Sequence, residues 1–173
     1  MKELLMLYAK YNLETSKKIV EMISVLGEDD LTKDRNCYYG SIKELCKHLF
    51  SGSWHYINAI IQISEEKYRV DLPDLTAVMR LFEENHHEAF QYYMNVSLLF
   101  MTLIEKIDKD DFFLEQKNMK IYNGRIVNMT IWNYFLQHIT HQTHHQGQLS
   151  NILDELKLEH EFGNIFPFIP DSL

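Results

Sequence analysis

Residues 131–156 read IWNYFLQHITHQTHHQGQLSNILDEL, an amphipathic segment with no proline and one glycine. Taken at alternating steps of three and four, Ile131, Tyr134, His138, His141, His145, Leu149, Ile152 and Leu156 share one face, the spacing of an α-helix that buries one side. Such a helix has about seven turns and needs partners of comparable length to cover its apolar stripe. The middle of that stripe holds histidines instead of aliphatic residues. His141 and His145 are four apart, so their rings lie about one turn apart on one face and can reach the same ion. His138 lies one turn further back. Burying several imidazoles without partners costs on the order of 2 kcal/mol or more each, which a metal ion would offset; a network of backbone carbonyls and water is the alternative.

Moving upstream, the period changes between Phe112 and Met129. Asn123-Gly124 sits there between short runs of β character, the signal for a two-residue type I′ hairpin, and the last helix then starts near Asn128 or Thr130. Before it, Leu75, Met79, Phe82, His86, Ala89, Tyr93, Val96, Phe100, Leu103 and Ile107 predict one long helix, capped by Asp74 after the polar segment Ser64 to Pro73. Ser41, three residues ahead of Glu44, is a capping box that starts a helix running to about Ile63. The first helix follows from Leu4, Tyr8, Tyr11, Thr15, Ile19, Met22 and Leu26, with Gly27 as its stop. Downstream, a Phe-rich tail from Phe162 to Leu173 either packs on its own chain or covers a second copy. The fold class expected is all-α: one domain over residues 1–173, a four-helix bundle with a small β-hairpin before the last long helix.

Composition agrees. The 173 residues include only 6 Gly and 3 Pro, and 46% are hydrophobic, as in ordinary globular chains with long helices. A formal charge of -8 would repel nucleic acid at long range. No run approaches the roughly 20 apolar residues of a membrane helix, and two cysteines without a secretory leader suggest a reducing cytoplasm.

Two histidines on one helix leave a site incomplete, and the remaining ligand should come from a facing helix. His48 and His55 on the second predicted helix and His86 on the third are the candidates, and periodicity does not choose among them. His48 lies four residues before Gly52, where side-chain bulk is missing. Trp54, Tyr56, Tyr92, Tyr93 and Phe100 read as core, with a ligand pocket as the alternative, and Cys46 reads as a small buried residue.

His138-Ile-Thr-His141-Gln-Thr-His144-His145-Gln146-Gly147-Gln148 resembles the last-helix pattern of the DinB-like (DinB/YfiT) metalloenzymes, which ends in His-Arg-Gly-Gln. The segment from Asp34 to Ile42, followed by Leu45 and His48, is similar to the stretch that brings that family's first ligand histidine into its second helix. Leu7-Tyr8-Ala9-Lys10-Tyr11-Asn12 is similar as well. The resemblance implies His48, His141 and His145 as ligands of one divalent ion, Zn or Ni before Fe, Mn or Co, with His138 lining the pocket and His144 turned toward a loop or the hairpin. It also implies a small-molecule substrate and a low-molecular-weight thiol such as bacillithiol or mycothiol, in a thiol S-transferase of detoxification or stress response. Metal-dependent hydrolysis and a non-catalytic metal-binding scaffold are the alternatives, and a homodimer is a further expectation. Two positions depart from the family pattern: Gln146 stands where Arg is common, and Ser53 where Asp is common.

Overall fold

A computed structural model of the chain describes residues 1–121 and 124–169. Four long helices carry it: α1 (Lys2–Ile23), α3 (Ile42–Ile63), α5 (His86–Lys106) and α6 (Ile131–Glu155), with two short ones, α2 (Glu28–Thr32) and α4 (Leu75–Glu84), between them. α1 packs against α5 and α6, and α3 packs against the same two, so the order round the bundle is α1, α5, α3, α6.

Side-chain pairs give the directions. Tyr56 of α3 meets Tyr134 and His138 of α6, whereas His48 meets His141 and His145, so these two helices are antiparallel. Lys2 reaches the carbonyls of Glu105 and Ile107 and Ser16 reaches Tyr93, so α1 and α5 are antiparallel too. Asn12 and Ser16 meet Gln146 while Leu4 and Tyr8 lie beside Trp132 and Leu136, which makes α1 parallel to α6. The topology is up, down, down, up. Between the two down helices the chain must cross back, and residues 64–85 with α4 make that return.

Capping decides where the helices begin. Ser41 accepts from the Glu44 N–H, Asp74 from the Ala77 N–H and Thr130 from the Asn133 N–H, each meeting a donor that the first turn leaves unpaired. Leu49, Phe50, Phe82, Phe90, Tyr93, Leu103, Phe113, Ile131, Phe135 and Leu153 are fully buried between the helices, each apolar side chain contributing roughly 1.5–3 kcal/mol. Cys46 is buried, as are Tyr93 and Phe100, so this part of the aromatic stripe is core.

The structure differs from the sequence reading in two places. The third predicted helix is two, because Asn85 leaves helical geometry at φ -155°, ψ 74°. Its side chain accepts from the Glu88 N–H (3.3 Å) and donates to the Glu88 carboxylate (3.1 Å), a cap that starts α5 afresh while the apolar stripe continues on both sides. The first helix ends at Ile23, and Gly27 precedes α2 instead of closing α1.

The hairpin stands before the last long helix, as expected. β1 (Gln116–Lys120) and β2 (Ile126–Thr130) are antiparallel, with Lys120 opposite Ile126. Ile121 N–H donates to the Arg125 carbonyl and Gly124 N–H to the Ile121 carbonyl, both 2.9 Å. Gly124 stands at φ +79°, a left-handed conformation that glycine adopts without strain. Asn123 of the expected two-residue turn lies outside the described residues. The tail packs on its own chain: the Tyr11 hydroxyl donates to the Phe162 carbonyl, and the Tyr11 and Phe168 rings meet edge to face at 6.2 Å. Its last four residues lie outside those described.

Candidate metal centre

α3 and α6 face each other along one seam of the bundle. The Ser41 side-chain cap fixes the start of α3, whose register sets His48 on the face toward α6. There His48 Nε2 lies 3.0 Å from His141 Nε2 and 3.1 Å from His145 Nε2. One ligand atom from each of the three histidines lies within 4.8 Å of the others. The other candidates lie elsewhere: His55 is exposed beside Trp54, and His86 sits at the start of α5 with Nε2 3.0 Å from Glu28 Oε2.

Desolvation holds the His48 and His141 imidazoles down to about 4, helped by their histidine neighbours, and also lowers His145. At neutral pH all three rings are uncharged and keep a free lone pair, the form that binds metal. The His145 Nδ1 is 2.7 Å from Gln148 Oε1. A carbonyl oxygen only accepts, so the His145 proton sits on Nδ1 and its Nε2 lone pair points at the cluster.

Hydrogen bonds alone leave this cluster unsatisfied. A neutral imidazole nitrogen offers one donor or one acceptor, yet His48 Nε2 faces two ring nitrogens and the Tyr39 hydroxyl, the last at 2.9 Å. Nitrogen lone pairs brought this close repel one another unless a cation lies among them. Three neutral nitrogen donors suit Zn or a neighbouring late first-row ion, so the residues present fit a divalent metal.

The surroundings hold the ligands in place. A β-carbon at Gly52 would stand 3.0 Å from His141 Cε1, so glycine is what lets that ring lie against α3. His141 Nδ1 is buried without a partner among the described residues, and the contact with Gly52 fixes the ring where a hydrogen bond does not. Tyr39 stacks on His48, with ring centroids 4.2 Å apart and planes 23° apart. Burial and the neighbouring Tyr38 raise the Tyr39 phenol, which keeps its proton.

His138 stands one turn away, fully enclosed by Phe100 at 4.1 Å and Tyr56 at 5.1 Å. Desolvation, with His141 nearby, pushes it down to about 3. It touches the Tyr56 ring that also borders His141 and is not among the three converging residues. His144 is exposed and lines a surface groove of about 470 Å³ with Leu4, Tyr8, Trp132, Leu136 and Ile139, between α6 and α1.

The two departures from the family pattern point away from the cluster. Ser53 donates to the Leu49 carbonyl at 2.8 Å and receives the Gln142 amide. Gln146 Nε2 donates toward the Asn12 carbonyl (3.2 Å), Ser16 Oγ (3.2 Å) and the Tyr93 hydroxyl (3.3 Å). Sequence reasoning gave no role to Tyr39, Gln148 or Gln142. Gln148 was within reach, since i, i+3 spacing puts it over His145; no periodicity places an aromatic in a loop.

No curated protein matches the chain, and no solved structure matches it either. The family model described as DinB family matches residues 1–160, which takes in α1, all three converging histidines and the whole of α6. No helix among the described residues is long and apolar enough to cross a membrane. With a helical bundle, a three-histidine cluster on its α3–α6 seam and a family match over nearly its full length, this chain belongs to the DinB family.

Proposed function

We propose that the protein is a metal-dependent thiol S-transferase acting on small electrophiles, with His48, His141 and His145 holding one divalent ion. The observation that carries this reading is the donor set: three neutral imidazole nitrogens and no carboxylate in the cluster. A divalent ion held by neutral ligands keeps its full charge and supplies Lewis acidity that favours the thiolate form of a bound thiol.

The chain's own residues supply the rest. Gln148 holds His145 in the tautomer with a free Nε2, and Gly52 lets His141 approach. The Tyr39 and Tyr56 rings border the cluster and limit water around it. In the transfer, the thiol sulfur loses its proton to solvent or buffer and forms a bond to the electrophilic carbon. The leaving group departs with the electron pair of the broken bond. Hydrolysis would need a proton acceptor beside the nucleophile, and among the described residues the cluster joins three histidines with no carboxylate. A low-molecular-weight cellular thiol is the proposed co-substrate, detoxification or stress response in the cytoplasm the proposed setting, and a homodimer the proposed assembly.

The test uses untagged protein. Metal content is measured by mass spectrometry, and conjugation of an electrophilic fluorogenic reagent is assayed with several cellular thiols in turn. Turnover that follows metal occupancy and needs thiol is expected; metal-loaded protein that conjugates none of the thiols rejects the transferase.

A further inference from the structure

The segment between α2 and α3 brings a fourth donor atom to the cluster. The Asn36 N–H donates to Asp34 Oδ1 at 2.9 Å, Arg35 N–H to the Gly40 carbonyl at 2.7 Å and Gly40 N–H to the Cys37 carbonyl at 2.9 Å. Arg35 also donates from its guanidinium to the Asp30 carbonyl at 2.9 Å. This turn is tied at both ends, and it lays the Tyr39 ring flat on His48 with both polar tips on the same side.

His48 Nε2 consequently has three neighbours at nearly equal distance: the Tyr39 oxygen at 2.9 Å, His141 Nε2 at 3.0 Å and His145 Nε2 at 3.1 Å. Four donors arranged tetrahedrally about a zinc ion at 2.0–2.1 Å stand ~3.3 Å from one another. The three distances at His48 Nε2 each lie within about half an ångström of that edge. The Tyr39 oxygen thus stands from His48 Nε2 at a spacing that two donors of one tetrahedral ion would have.

We propose that the Tyr39 hydroxyl is the fourth donor of this site and a displaceable one, so that an incoming thiol or small anion binds by moving the phenol aside. This rests on the three-histidine metal reading above. A phenol is a weaker donor than imidazole and hangs on a loop, whereas the histidines are fixed on helices, so Tyr39 is the ligand that yields. The site is closed to weak ligands such as water and open to stronger ones, which selects thiols and anions over neutral oxygen compounds.

The experiment compares untagged wild type and Tyr39→Phe, each loaded with cobalt(II), by visible absorbance and by azide titration. Phe keeps the ring stacked on His48, and a melting curve checks that the fold is retained. If Tyr39 is the fourth donor, its replacement changes the cobalt spectrum before azide is added. The variant also binds azide roughly tenfold more tightly, because the competing closed state is gone. Identical spectra and azide affinities in two cobalt-loaded proteins overturn the role of Tyr39 and leave the three-histidine site standing. Weaker azide binding by the variant also overturns it, since the hydroxyl would then be donating to the bound anion. A wild type that binds no cobalt overturns the metal reading itself.

Discussion

Helix α6 buries polar side chains on two seams, and the seams differ in whether their polar groups can answer one another. Toward α1 and α5, Gln146 meets Asn12, Ser16 and Tyr93, and Ser16 Oγ lies 3.0 Å from Ser97 Oγ. Amides and hydroxyls each combine donor and acceptor, so the Gln146 amide nitrogen finds acceptors on both helices, with Gln146 Oε1 alone in this cluster left without a partner among the described residues. Toward α3, His48, His141 and His145 bring like atoms together, nitrogen on nitrogen. A buried polar cluster made of complementary groups explains itself as structure. One made of identical lone pairs asks for something that carries positive charge.

Exchanging the two losses tests that distinction most strongly. In His141→Ala, affinity for divalent metal falls by roughly a hundredfold or more, because one of three protein donors is gone, and metal analysis after dialysis reads it. In Gln146→Ala the metal content stays at the wild-type level while urea unfolding shows a loss of about 2 kcal/mol, since buried acceptors lose their donor. Should Gln146→Ala shed metal as His141→Ala does, the two seams form a single unit.

A smaller effect is expected from Gly52→Ala. The added methyl meets His141 Cε1 at 3.0 Å and turns the ring off the common point, so metal affinity drops about tenfold. Stability of the metal-free protein changes by less than about 1 kcal/mol, because better helix propensity offsets the contact. Calorimetric metal titration beside a thermal melt separates the two, and unchanged affinity would show that the His141 ring moves freely.

A further test needs no substitution and concerns acid. His48, His141 and His138 have folded-state pKa values held below the ordinary 6.5, at about 4, 4 and 3. Between 6.5 and those values the unfolded chain binds more protons than the folded one, so the metal-free protein loses stability as pH falls and keeps it above 6.5. The melting temperature should drop by roughly ten degrees or more over that window, since each pH unit costs about 1.4 kcal/mol for every ring that stays neutral in the fold. Gln146→Ala should show the same slope, because its cluster contains no histidine; a melting temperature flat from pH 7 to ~4.5 contradicts the buried neutral imidazoles.

The sequence carried the bundle well, because long stripes at helical spacing and the caps at Ser41 and Asp74 are local signals. The break at Asn85 was also local, Asn85 and Glu88 forming a cap, but an apolar stripe running unbroken across it outweighed the signal. The relation of His141 to His145 was legible because one helix fixes it. The third residue was not: which of His48, His55 and His86 meets them depends on how one helix is rotated against another, and only the family resemblance pointed to His48. Gln142 drew no reading and Gln146 only that of a departure from the family pattern, since a lone amide gives no hint of the carbonyls and hydroxyls waiting across a seam. Tyr39 comes from an irregular turn, which no periodicity describes.

The pairing of His48 with His141 joins points 93 residues apart in the chain. An ion gripped by both would act as a reversible cross-link, closing a loop that spans the return crossing, α4, α5 and the hairpin. Loop-closure entropy grows slowly with loop length, so most of the benefit of such a link comes from its existence and little from its span. Losing the ion would remove that cross-link in a single step, while Gln142 with Ser53 and Tyr56 with Tyr134 still hold α3 against α6.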